Sequence, residues 1–106
     1  MKKGTIKVSV FYPNGDGNTF DLDYYCNKHM PMVKSLMGDS LKSTDVDKGL
    51  VGGNPDEPAP YVAIGHLYFD SITDFQNSFE AHAEKIMADA VNYTNVQPSI
   101  QISEIQ

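Results

Sequence analysis

The stretch "YVAIGHLYF", residues 61 to 69, constrains this chain more than any other. Successive side chains of a strand point to opposite faces. Tyr61, Ala63, Leu67 and Phe69 then fall on one face, and Val62, Ile64, His66 and Tyr68 on the other. A strand that is apolar on both faces needs cover on both.

The remaining elements follow from local pattern. "TIKVSVFY", residues 5 to 12, alternates with the period of a strand, and "PNGDGN" closes it with turn residues. Thr19 or Asp21 supplies an oxygen to cap a helix that runs to about Met37 and stops at Gly38. "LKSTDVDKGLVGG" reads as a polar, irregular second strand, and "GGNPDEPAP" as a loop. After strand 61 to 69, Asp70 or Ser71 caps a second helix with an apolar stripe at Ile72, Phe75, Phe79, Ala83, Ile86, Met87 and Ala90. "SIQISEI" is a last strand. The order β-α-β-β-α-β, with right-handed crossovers, is an α+β ferredoxin-like plait: a four-stranded antiparallel sheet with two helices on one face. Those helices cover one face only. The other predicts a homodimer with sheets packed face to face.

At 106 residues the chain, 1–106, is expected to be one domain. Its formal net charge of −6 argues against nucleic acid and against an anionic membrane surface as partners. No apolar run reaches the length of a membrane span, and the start lacks the apolar stretch of a signal peptide. Cys26 is the only cysteine, which removes an internal disulfide and a cysteine-rich zinc site and fits a cytoplasmic location.

Within the first helix lies "DYYCNKHMPMVKSLMG", residues 23 to 38. Pro31 has no N–H for the carbonyl of Asn27, crowds it, and pushes Met30 away from helical angles, so a break near residues 28 to 31 is expected. His29 lies just before it, with Tyr25 one turn earlier on the same face. The pair can present an imidazole and a phenol to a cavity; alternatively, His29 only caps a freed carbonyl.

These residues carry a family resemblance. "FYPNGDGNTFDLDYYCNKHMPMVKSLMG" resembles the opening of EthD domains, named for a protein of ethyl tert-butyl ether degradation. "AIGHLYFDSITDFQNSF" and the closing "YTNVQPSIQISEI" are similar too. The resemblance implies a dimeric α/β barrel of ferredoxin-like subunits, associated with oxidoreductase pathways and the breakdown of small organic compounds. It does not choose a reaction.

His29 and Tyr25 are the candidate catalytic residues. Imidazole both takes and gives a proton near neutral pH, and a phenol polarises a substrate oxygen. Tyr12, His66, Tyr68 and His82 are the candidate substrate-binding residues, each with a plain packing role as its alternative. The three histidines lack the spacing of a metal site, so no metal and no haem are expected. "GDG" and "VGG" lack the context of a phosphate loop, so no nucleotide cofactor is expected either. The expected ligand is a small organic carbonyl or aromatic compound. Three functions remain open: cofactor-independent proton transfer or oxygenation, capture by an accessory ligand-binding dimer, and a structural dimer without ligand.

Overall fold

The computed structural model describes residues 2–106. β1 (Ile6–Pro13) is an inner strand, paired antiparallel on one side with β3 (Tyr61–Phe69) and on the other with β4 (Ser99–Glu104). β2 (Ser43–Lys48) adds antiparallel to the far side of β3, giving the order β2-β3-β1-β4. The first helical run follows β1 in three pieces: α1 (Leu22–Tyr24), a π-helical turn (Tyr25–His29) and α2 (Met30–Met37). The second is α3 (Ile72–Ala88), continued by a 3-10 turn (Asp89–Asn92). This is the ferredoxin-like α+β arrangement.

The ends of the helices are chemically marked. Asp21 accepts the Tyr24 N–H, and Ser71 accepts the Asp74 N–H at 3.0 Å. At the far end of α2, Gly38 adopts φ 61°, a left-handed value that favours glycine. Its N–H closes onto the carbonyl of Lys34.

The core lies on one face of the sheet. Ile6, Val8, Tyr12, Ala63, Leu67 and Phe69 pack there against Tyr25, Met30, Val33 and Met37, with Phe75, Phe79 and Ile86 of α3 at its margin. Ile72 and Met87 of the expected stripe stay exposed, at 47% and 66%. α3 has no buried residue, and beside Met87 it borders open space rather than core.

One expectation is corrected. The helix does not break before Pro31, and Met30 keeps helical angles (φ −63°, ψ −41°). The N–H of Met30 reaches back five residues to the Tyr25 carbonyl, so the chain widens into a π turn instead of kinking. Pro31 then stands in the first turn of α2, where its missing donor costs least. The sheet face away from the helices is built from more than β3. β3 brings Val62 and Ile64 there, but register sets Ser9, Lys7, Asp45, Asp47, Gln101 and Ser103 on the same side. The face is mixed and hydrogen-bonded rather than broadly apolar.

Candidate functional site

A cavity of about 470 Å³ lies between the sheet, α2, α3 and the segment after α3. Val8, Val10 and Leu67 form its floor, and Met30, Val33, Phe75 and Phe79 its helical walls. Tyr12, Tyr25, His29 and Tyr93 bring polar atoms into this apolar surround.

The π turn positions the first pair. In the widened turn, residues i and i+4 stand closer to one above the other than in an α-helix. Tyr25 and His29 are both buried, and their rings stack with centroids 5.2 Å apart and planes 16° apart. Tyr25 fits because Gly65, opposite it on β3, has no side chain: a Cβ there would collide with the Tyr25 hydroxyl.

Beyond His29 stands Asp89, the residue that ends α3. Its Oδ2 is 2.8 Å from His29 Nδ1. Its Oδ1 accepts from the Tyr24 hydroxyl at 2.8 Å and from Asn92 Nδ2 at 2.9 Å. Burial alone would raise the carboxyl, but the hydrogen bonds from Asn92, His29 and Tyr24 outweigh it and hold Asp89 below the usual carboxylate range. Burial lowers the His29 imidazole, with Asp89 pulling the other way, and the net direction is down. An ionised Asp89 only accepts, so neutral His29 donates from Nδ1 and keeps Nε2 as a lone-pair acceptor. No side-chain hydrogen bond of the described residues engages Nε2, and His29 lines the cavity.

A second polar element faces the same cavity. The hydroxyls of Tyr12 and Tyr93 are 2.8 Å apart. Burial pushes both phenols up, and Tyr25 likewise, so all three stay protonated. Either hydroxyl can be the donor of that bond, and both residues line the cavity. Tyr93 also crosses His29, with ring centroids 4.6 Å apart.

Of the six residues singled out from sequence, the fold brings together Tyr12, Tyr25 and His29. His66 and Tyr68 point to the opposite sheet face. There His66 bridges Ser9 (3.0 Å, through Nδ1) and Asp47 (2.8 Å, through Nε2), and Tyr68 donates to Asp45 at 3.0 Å. His82 sits half-buried on α3 and does not line the cavity. Asp89, Asn92 and Tyr93 were missed. One signal existed: an aspartate at the end of a helix opposes the helix dipole and needs another reason to be there.

A family model described as EthD domain matches residues 18–97. The chain belongs to the EthD family. An EthD-like protein from Ralstonia eutropha JMP134 is 41% identical, over 97% of this chain and 93% of that one, with a TM-score of 0.91. An EthD family protein from Bacillus halodurans C-125 is 17% identical, over 96% and 99%, with a TM-score of 0.72. A monooxygenase of Streptomyces coelicolor, solved in complex with nanaomycin D, is 10% identical over 98% and 88%, at a TM-score of 0.56. The last two show likeness of fold alone. No match was found among curated proteins. The span matched to the EthD family contains His29, Tyr25, Asp89 and Tyr93, whereas Tyr12 on β1 lies outside it.

Proposed function

We propose that this EthD-family protein binds a small organic molecule in the cavity and moves a proton on it, with His29 as the base. The observation that carries this reading is the Asp89–His29 pair, which commits Nδ1 and leaves Nε2 free toward the ligand. Nε2 takes the proton of a weakly acidic O–H, or of a C–H beside a carbonyl. The electron pair stays on the ligand as a phenolate or enolate. A hydroxyl of the Tyr12–Tyr93 pair donates to the ligand oxygen, and Asp89 stabilises the imidazolium. Return of the proton to another atom completes an isomerisation or cyclisation; attack of the carbanion on dioxygen would give a peroxide anion that takes back the His29 proton, and loss of water from that hydroperoxide leaves a new carbonyl, which would make the same site an oxygenase.

A second reading, capture without turnover, is favoured by one feature. Met87, Val91 and Ile100 border the cavity and are 66%, 83% and 56% exposed, so the chain by itself does not exclude water from the mouth. In either reading the whole chain acts as one domain, and a second copy covers the mixed sheet face to make a homodimer. Sedimentation at micromolar concentration checks this, with twice the 11.7 kDa chain mass expected. Among the described residues no helix is long and apolar enough to cross a membrane. We place the protein in the cytoplasm, where the exposed Cys26 stays reduced.

The experiment for the proton-transfer reading is isotope exchange. A panel of enolisable ketones and phenol-bearing ketones is incubated in D₂O with the protein and followed by NMR. Exchange at the carbon beside the carbonyl is expected to be faster with the wild type, and to fall by about 10²-fold or more in His29→Ala. Equal exchange with the two proteins would leave capture as the function.

A further inference from the structure

We infer that the cavity selects an uncharged ligand, an apolar body bearing one weakly acidic hydroxyl, and rejects both carboxylates and amines of the same shape. This rests on the ligand-binding reading above and adds the charge class of the ligand.

A buried anion is costly without a cation to pair with, and among the described residues lining the cavity there is no lysine or arginine. What stands nearby is negative. Asp89 is directly behind His29, with its side chain only 14% exposed, and three donors fix its charge. The carbonyl end of α3 lies on the same side, where Ile86 and Ala90 border the cavity, and contributes the negative pole of the helix. An anionic group entering here would leave water to meet like charge.

The same negative potential and the aromatic rings would draw a cation, but no aspartate or glutamate is among the described residues lining the cavity, so no carboxylate meets it there. Oδ2 is committed to His29, and Oδ1 to Tyr24 and Asn92. An ammonium would lose its hydration and find no direct ion pair. A neutral hydroxyl, by contrast, meets complementary groups: Nε2 accepts its proton, and one hydroxyl of the Tyr12–Tyr93 pair donates to its oxygen or to a carbonyl beside it. The rest of such a ligand is taken up by Val10, Leu67, Phe75, Phe79 and Met30.

The test uses one ring system with three head groups. Binding of 2-naphthol, 2-naphthoate and 2-naphthylmethylamine is measured by calorimetry at neutral pH with the wild-type protein. The naphthol is expected to bind about tenfold tighter than either charged analogue. Lowering the pH should raise naphthoate affinity and lower naphthol affinity, because protonation of His29 supplies a positive charge and removes the acceptor. In Asp89→Asn the naphthol-to-naphthoate ratio should collapse. The pH series in the wild type stands alone if that variant does not fold. Naphthoate or the amine binding as tightly as the naphthol overturns the inference and leaves the cavity reading intact. Failure of all three to bind overturns the cavity reading and the inference with it.

Discussion

The imidazole of His29 lies almost parallel to the phenol ring of Tyr25, four residues earlier, with the ring centroids 5.2 Å apart. Tyr93 crosses the same imidazole at 4.6 Å, and Asp89 holds its Nδ1. Two rings and a carboxylate thus fix the plane and the tautomer of the one histidine that faces the cavity. Packing that only filled space would not need the carboxylate.

Replacing His29 should therefore separate stability from function. His29→Ala loses one hydrogen bond and some packing, and should cost about 1–3 kcal/mol in urea unfolding. Ligand binding or proton exchange should fall far more. If the variant unfolds severely while its folded fraction binds and exchanges normally, the residue is structural and the site assignment is wrong.

Stability should depend on pH in two separate arms. The folded imidazole of His29 titrates below its ordinary 6.5, so between those values the unfolded chain binds more protons. The stability from keeping it neutral is fully present above about 6.5 and is lost as pH falls through the folded value. Asp89 is likewise depressed below 3.8, and its contribution is present above that value and lost as pH falls further. Urea midpoints taken from pH 8 down to pH 3 should show both arms in the wild type. His29→Gln should lack the upper one; parallel curves for the two proteins would contradict a buried neutral imidazole.

The fit between Gly65 and Tyr25 gives a paired test. Gly65→Ala places a methyl group against the Tyr25 hydroxyl in a packed core and should destabilise by about 1–3 kcal/mol. Adding Tyr25→Phe removes the colliding oxygen and should return part of that loss. Equilibrium unfolding of the two singles and the double decides it: an additive double variant would mean that the two positions are not in contact.

Tyr24→Phe removes one of the three donors on Asp89 without touching the cavity lining. The carboxyl should titrate higher, and the His29 Nδ1–H should be held less firmly. Nitrogen NMR of the imidazole reads the tautomer directly. A spectrum unchanged from the wild type would show that His29 and Asn92 suffice to orient Asp89.

Much of the fold was legible because its signals are local. The alternation of residues 61 to 69 matches β3 (Tyr61–Phe69), Ser71 and Asp21 cap where their side chains can reach free N–H groups, and Gly38 stops α2 with a left-handed φ. The pairing of Tyr25 with His29 followed from their four-residue spacing. What the sequence left open depends on contacts between distant segments. Alternation puts His66 and Tyr68 on the face opposite Leu67, but not which face the helices cover; the packing of α2 and α3 decided that, and it removed both residues from the cavity. Asp89 meets His29 across 60 positions and Tyr93 meets Tyr12 across 81. The π turn escaped as well, because proline chemistry predicts only a lost donor and not the bond from the Met30 N–H to the carbonyl five residues earlier. Local spacing sets which side chains share an element, while burial and charge at a site come from whatever the rest of the chain packs against it.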